Sequence, residues 1–147
     1  MPVQRTATSP ATGEHLGELV GFLRDLPGAP PVHEVVVLSC AAHGEERPTW
    51  AYVEADARAG LARRRCVACA TVVPLLDSAE RWTYPPMHAC RGCRQSIVEV
   101  AAGLHVPDGA HVGWVAVAAR CVGCDRLTGL TDLVVPGLPV AEVRARL

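Results

Sequence analysis

The chain has 147 residues, with 14 basic residues against 15 acidic ones and a formal net charge of −1. This length suits one compact domain or two small modules. The near-balance of charge argues against a strongly basic nucleic-acid-binding coat and against a polybasic membrane anchor. Half of the residues are apolar but only 4% are aromatic. A core built mainly from small side chains tends to need additional cross-links.

Two residue types are missing, and both absences restrict the chemistry. All 14 basic residues are Arg, because the sequence contains no Lys, and it contains no Asn. Both missing residues use AT-rich codons, which points to a GC-rich bacterial genome. Lysine Schiff-base and phosphate-loop chemistry are excluded, and neither a Gly-x-Ser-x-Gly nor a Gly-x-Gly-x-x-Gly motif occurs. We therefore expect a protein that is not an enzyme.

The N-terminal segment predicts a cytoplasmic protein. It has no apolar stretch of the kind found in signal peptides, and the chain has no run of 18 apolar residues that would predict a membrane-spanning helix. Cysteine pairs in a cytoplasmic chain indicate metal or redox chemistry more often than disulfides. No membrane partner is expected.

The N-terminal quarter predicts one helix between two irregular segments. Residues 1–12 are rich in Thr, Ser, Pro and Ala and are expected to be a disordered lead-in. Residues 13–31 contain a helix over 13–26 and then a Pro-rich linker. The helix is predicted from apolar residues at helical spacing, namely Leu16, Leu19, Val20, Leu23 and Leu26.

From residue 32 onwards the apolar pattern is typical of short strands. A Pro107-Asp108-Gly109 turn separates the last two of them. A short closing helix is expected after Pro139. The predicted strands are Val35–Leu38, Trp50–Glu54, Val72–Leu76, Ile97–Val100 and Val112–Ala118.

The spacing of the cysteines is the strongest signal in the sequence. Six of the seven form three Cys-x-x-Cys pairs, namely Cys66 with Cys69, Cys90 with Cys93, and Cys121 with Cys124. The seventh begins the related pattern Cys40-Ala-Ala-His43. Zinc binds four N or S ligands in a tetrahedron, and two ligands three residues apart can reach one ion from a tight turn, here called a knuckle. Four knuckles offer eight ligands and hence two zinc sites per chain.

An internal repeat indicates how the knuckles pair. Residues 65–69 match residues 120–124 at an offset of 55, apart from Ala68 against Gly123, and Leu75 and Asp77 match Leu130 and Asp132 at the same offset. The pair Cys40/His43 matches Cys90/Cys93 at an offset of 50. The repeat predicts a first site from Cys40, His43, Cys66 and Cys69. It predicts a second site from Cys90, Cys93, Cys121 and Cys124.

Between the paired knuckles lie 22 residues in the first copy and 27 in the second, enough for a β-hairpin in each. This order of knuckle, hairpin and knuckle resembles the zinc ribbon, a rubredoxin-like fold group, over roughly residues 35–135. The resemblance implies a small, mostly β, metal-stapled fold with two tandem ribbons, at 32–80 and 81–136. An N-terminal helix and a short C-terminal helix, the latter in a tail at 137–147, complete the expectation.

Other uses of the same cysteines stay open. An interleaved arrangement, as in cross-brace RING-like domains, would join Cys40/His43 to Cys90/Cys93. Iron could occupy the second site in place of zinc, because rubredoxins use the same set of four cysteines, and the protein would then be an electron carrier. A thiol redox sensor is a further alternative. Iron–sulfur clusters fit poorly, since none of their usual spacings occurs.

Sites with four protein ligands have no open position for substrate, which indicates structural metals. Seven thiolates and two zinc ions change the formal charge from −1 to −4. We therefore expect a non-catalytic adaptor that binds another protein.

The alternative is a nucleic-acid-binding ribbon of transcription-factor type, which would use Arg63, Arg64 and Arg65. The five Trp and Tyr side chains could stack on bases, but we expect them in the cores of the ribbons. They are Trp50, Tyr52, Trp82, Tyr84 and Trp114.

Overall fold

The computed structural model describes residues 16–43 and 50–147, except for the side chains of Leu16 and His43. These residues form a mostly antiparallel β structure with two short helices. The predicted lead-in at 1–12 lies outside the described residues. The helices are α1 (Leu16–Arg24) and α2 (Val140–Ala145), and a 3-10 turn covers Ala41–His43. The strands are β1 (Glu34–Val37), β2 (Ala51–Asp56), β3 (Leu61–Cys66), β4 (Val72–Pro74), β5 (Val98–His105), β6 (His111–Cys121) and β7 (Leu127–Pro139).

All seven strands belong to one sheet, in the order β4-β3-β2-β5-β6-β7, with β1 also paired to β5. Two hairpins form its halves. In the N-terminal half β2 and β3 pair from Ala51↔Cys66 onwards, and in the C-terminal half β5 and β6 pair from Val98↔Cys121 onwards. The halves join through a single pairing, Ala51↔Val98. Both hairpins therefore have their open ends, each marked by a cysteine, at this junction.

The larger core is aliphatic and lies between the two halves of the sheet. Alternate residues of β5 and β6 point into it, as the two-residue period of a strand requires. The tip of the β2–β3 hairpin closes against β7, where the Thr131 hydroxyl donates to the Asp56 carbonyl oxygen over 3.2 Å. The buried members from the two central strands are Val98, Val100, Ala102, Leu104, Val112, Val115, Val117 and Ala119.

Our expectation that the aromatic side chains fill the cores was wrong for two of them. Tyr84 is 84% exposed and Trp50 is 49% exposed. The larger core contains no aromatic residue among those that the structure describes. The larger core is filled by Ala, Val and Leu side chains, and these two rings lie at the surface.

Helix α1 covers the opposite face of β5 and β6. Leu19, Phe22 and Leu23 are buried there against a floor of alanines and one leucine, Ala101, Ala116, Ala118 and Leu127. At Gly103 an added Cβ would lie 3.0 Å from both methyl groups of Val32, in the chain before β1, and 3.6 Å from Cβ of Leu23 in α1. The small residues of these strands therefore let a short helix pack closely. Among the described residues no helix is long and apolar enough to cross a membrane.

The observed elements confirm the predicted fold class at the level of a mostly β protein with a helix near each end. Each of the five predicted strands overlaps an observed one, and α1 and α2 lie within the predicted helical segments. Two strands were missed. β3 carries three consecutive arginines, and β7 contains Gly129, Pro136 and Gly137, so neither shows the alternating apolar pattern of a strand.

We expect Gly103→Ala to destabilise the protein by about 1–3 kcal/mol, because the new methyl group overpacks the contact between β5 and the chain before β1. Gly113→Ala is the matched control in β6, since its nearest neighbour would be an ordinary 3.9 Å contact with His105. Urea denaturation of both metal-loaded variants measures the difference. Equal stability of the two variants would contradict the close packing at Gly103.

Candidate metal centres

Four cysteines meet at the open end of the β5–β6 hairpin and form what we call the second centre. The Sγ atoms of Cys90, Cys93, Cys121 and Cys124 all lie within 4.8 Å of one another. Sγ of Cys90 is 3.5 Å from that of Cys124, and Sγ of Cys93 is 3.4 Å from that of Cys121. Cys90 and Cys121 are buried while Cys93 is exposed, so the centre is at the protein surface with one side open to solvent.

Three cysteines meet at the corresponding end of the β2–β3 hairpin and form the first centre. The Sγ atoms of Cys40, Cys66 and Cys69 also lie within 4.8 Å of one another, with 3.6 Å between those of Cys40 and Cys69. The main chain of His43 belongs to the 3-10 turn that follows Cys40. The predicted role of the His43 imidazole as the fourth ligand falls on a side chain outside the described set.

The cysteine turns owe their shape to main-chain hydrogen bonds. In three of them the N–H of the first cysteine donates to the carbonyl oxygen five residues later, and the N–H four residues later donates back to the cysteine carbonyl, all over 2.8–2.9 Å. The residue four positions on has a positive φ of 61–66° each time, a conformation that costs a non-glycine residue about 1–2 kcal/mol. The turns begin at Cys66, Cys90 and Cys121, and the positive-φ residues are Ala70, Arg94 and Asp125.

The sulfur separations suit a single tetrahedral ion in each group. Four thiolates about 2.3 Å from one ion lie about 3.8 Å apart, close to the 3.4–3.6 Å observed. A disulfide needs about 2.05 Å between its sulfurs, and none of the seven cysteines forms one. An iron–sulfur cluster distributes its four thiolates over two or more iron atoms and so needs a wider sulfur cage. The geometry therefore fits one metal ion per group, and it does not distinguish zinc from iron.

Burial and crowding resist ionisation of several thiols. Burial, together with neighbouring thiols, raises the pKa of Cys124 to about 12 and also raises the pKa of Cys121. Burial opposes ionisation of Cys90 too, but the main-chain N–H groups of Cys93 and Gly92 prevail and lower its pKa to about 7. Such a group of thiols ionises fully only when a cation replaces its protons.

The first centre behaves similarly. The main-chain N–H of Ala42 favours the Cys40 thiolate, but burial and the thiols of Cys69 and Cys66 outweigh it and raise the pKa of Cys40. Oγ1 of Thr71 lies 3.0 Å from Sγ of Cys69, so its hydroxyl can donate a hydrogen bond to a thiolate there. The first centre therefore also has polar support for metal-bound sulfur.

A buried network of ion pairs lies next to the second centre. Nη2 of Arg120 donates to Oε1 of Glu99 over 2.7 Å, and both side chains are about nine-tenths buried. Nη1 of the same guanidinium donates to Oδ1 of Asp125. Because Arg120 precedes Cys121 and Asp125 follows Cys124, this network connects the two ends of one knuckle. The sequence signal was one Glu and one Arg within two largely apolar strands, which the register places directly opposite each other as Glu99↔Arg120.

Two of the three arginines in the run 63–65 form hydrogen bonds within the protein. Arg63 makes two hydrogen bonds to the Glu54 carboxylate, at 2.8 and 3.0 Å, and its guanidinium lies 4.3 Å above the centre of the Trp82 ring. Arg64 donates to the carbonyl oxygens of Ser39 and Leu147, and burial lowers its pKa. Arg64 lies near the Cys40 and Cys66 thiols, where its charge can compensate thiolates. Two of the three arginines are thus engaged within the protein.

The cysteines group in the sequential way. Cys40 meets Cys66 and Cys69, while Cys90 and Cys93 meet Cys121 and Cys124. The interleaved alternative would place Cys40 beside Cys90 and Cys93, and no such group occurs among the described residues. The structure thus places all seven cysteines that were predicted as ligands in two groups, one of three and one of four.

We expect metal binding to release at least three protons per chain at pH 7, those of the Cys40, Cys121 and Cys124 thiols, whose pKa values are raised. Because each bound proton competes with the metal, affinity falls as pH falls. Calorimetric titration of the metal-free chain with zinc, in buffers of different ionisation enthalpy, counts the protons. Binding without proton release would contradict thiolate ligation.

Comparison with protein-family models, curated proteins and solved structures finds no match to this chain. The functional argument therefore depends on the geometry of the two centres and their surroundings. That geometry supports metal binding by two cysteine groups at the open ends of two hairpins.

Proposed function

We propose that the chain is a cytoplasmic zinc protein with two structural zinc ions, held in two tandem zinc ribbons. The observation that carries the proposal is the group of four thiols within 4.8 Å at the second centre, because these residues complete a tetrahedral shell. Each group lies where a hairpin opens, between the knuckle that precedes the hairpin and the one that ends it. This order of knuckle, hairpin and knuckle is the arrangement that defines a ribbon.

His43 is the fourth ligand of the first zinc in this proposal. Cys40, Cys66 and Cys69 leave one tetrahedral position to be filled. The 3-10 turn Ala41–His43 brings the chain back immediately after Cys40, as a Cys-x-x-His knuckle requires. The Cys93 ligand occupies the matching place at the second centre, at the offset of 50 residues.

We expect two zinc ions per wild-type chain by elemental analysis and native mass spectrometry. His43→Ala should bind one, and His111→Ala, which changes a histidine paired with Asp108 in the hairpin turn, should keep two. Cys90→Ser should lose the second zinc and unfold the β5–β6 hairpin, since a structural zinc contributes about 10–16 kcal/mol of binding free energy to folding. Two zinc ions in His43→Ala would refute the ligand assignment, and one zinc in the wild type would refute the first centre.

The same completed shells leave each metal ion no position for substrate, which supports a non-catalytic role. We infer that this role is to bind another protein. The surface beside the first centre offers apolar contact. Trp50, Val67 and Val72 are 49%, 37% and 40% exposed. The Val67 N–H donates to the Trp50 carbonyl oxygen over 3.0 Å, and Val72 pairs with Arg65. We call these three residues the knuckle patch, and exposed aromatic and apolar groups of this kind are common at protein interfaces.

Two other functions are supported less. A nucleic-acid-binding ribbon would need the arginine run, of which Arg63 and Arg64 already contact groups of the protein. A rubredoxin-like electron carrier or thiol redox sensor would use the second centre, where Cys93 is exposed and four sulfurs suit iron as well as zinc. Iron in the metal analysis, with the colour of an iron–thiolate centre, would favour the electron carrier.

Trp50→Ser should abolish capture of the partner protein while zinc content stays at two per chain. Val134→Ser is the control, because Val134 is 88% exposed on β7 and lies outside the knuckle patch. Affinity capture from the host extract with quantitative mass spectrometry compares the two variants with wild type. If Trp50→Ser retains the partner, the knuckle patch is not the interface. Binding to mixed DNA or RNA that weakens steeply with salt would support the nucleic-acid alternative instead.

A further inference from the structure

We propose that a cleft beside the second centre binds a small organic anion through Arg91 and Arg126. The cleft has a volume of about 220 Å³ and lies between the two halves of the sheet. Its location, charge and size are each explained by described residues, and none of them depends on which metal the centre holds. We call it the anion cleft.

Two chain segments form the walls of the anion cleft. One wall is the segment that leads into the Cys90 knuckle, which is fixed beside β2 because the His88 N–H donates to the Val53 carbonyl oxygen over 2.7 Å and Met87 forms a bridge with Glu54. The other wall is the start of β7 from Arg126 to Leu130. Main-chain hydrogen bonds hold both walls in place, so the cleft is a fixed part of the fold.

The charge in the cleft is of one sign. Arg91 and Arg126 line it together with His88 and Thr128, and no Asp or Glu is among its lining residues. Within the described part of the chain neither Arg91 nor Arg126 forms an ion pair, whereas Arg63, Arg81 and Arg120 each do. Two guanidinium groups on one concave surface favour an anion, because a bound anion adds charge-assisted hydrogen bonds and relieves their repulsion.

The Arg126 side chain lies against the Cys90 knuckle. A Cβ added to Gly92 would lie 3.6 Å from Nη1 and 3.7 Å from Cδ of Arg126, and 3.5 Å from Sγ of Cys124. The Arg126 side chain therefore lies beside Gly92 and close to the Cys124 sulfur. A side chain with a neighbour on one side loses less conformational entropy on binding a ligand than a fully exposed one.

The size and lining of the cleft indicate the class of ligand. Pockets for drug-sized ligands have volumes of about 300–1,000 Å³, so 220 Å³ suits a smaller molecule. Ala55, Met87 and Leu130 add apolar groups to its lining. A short-chain carboxylate and a phosphate monoester share the required chemistry, since each presents two or more oxygens to a guanidinium and a short carbon chain to an apolar wall.

Calorimetric titration of the full-length, metal-loaded chain tests the anion cleft, with succinate and glycerol phosphate as separate probes at constant ionic strength. We expect binding of at least one probe, weakened about tenfold or more by Arg126→Gln and by Arg91→Gln, because each removes a charge-assisted contact. Arg94→Gln is the matched control. It removes the same charge from an exposed position on the same knuckle but does not line the cleft.

The two probes separate the sources of the anion. Binding of succinate alone assigns a carboxylate ligand, binding of glycerol phosphate alone assigns a phosphate group, and binding of both supports the shared chemistry. No binding of either probe at millimolar concentration overturns the proposal, and so does an equal loss in Arg94→Gln, which would indicate a general charge effect. Metal analysis of every variant shows whether the second centre is intact, so that failure of the cleft is distinguishable from failure of the zinc assignment.

Discussion

The meeting of thiols at the open ends of the two hairpins is the interaction on which the rest of the structure depends. Cys66 ends β3 and Cys121 ends β6, each opposite the first residue of the hairpin's other strand. The two halves of the sheet join there through only one pairing, Ala51↔Val98. A metal ion in each group would therefore tie the segment before each hairpin to the end of the hairpin's last strand, next to this junction. Without it, clustered thiols with raised pKa values at Cys40, Cys121 and Cys124 bring no attraction of comparable strength.

The ligand turns could be predicted from the sequence because their geometry is local. Each turn closes its hydrogen bonds within six residues, so a Cys-x-x-Cys spacing carries nearly all the information that it needs. The offset of 55 residues recurs in the structure, since the turns at Cys66 and Cys121 have the same bonds and the same positive φ at Ala70 and Asp125. The pairing Arg65↔Val72 likewise corresponds to Arg120↔Leu127. These agreements support the proposed tandem ribbons, in which a third strand follows each hairpin.

Features that depend on distant residues could not be predicted in the same way. β7 pairs with β6 over most of its 13 residues, yet Gly129, Pro136 and Gly137 interrupt any alternation that would reveal it. In the sequence the arginines of β3 form one basic run. In the strand, neighbouring side chains point to opposite faces, so Arg63 donates hydrogen bonds to Glu54 and Arg64 to Ser39 and Leu147. The aromatic residues were expected inside because there are few of them. The larger core is filled by Ala, Val and Leu side chains, and Tyr84 and Trp50 lie at the surface.

Charge around the second centre connects the two proposals. Four thiolates with one divalent ion carry a charge of −2, and Arg120 with Glu99 and Asp125 adds −1. Arg91, Arg94 and Arg126 add +3, so the region is neutral as a whole but divided in space. The negative charge belongs to the sulfur group and to the network of Glu99 and Asp125, while Arg91 and Arg126 line the cleft. The cleft walls are held by main-chain bonds of their own, whereas Arg126 lies beside Gly92 and the Cys124 sulfur, so a metal that orders the knuckle would act on the cleft through this one guanidinium.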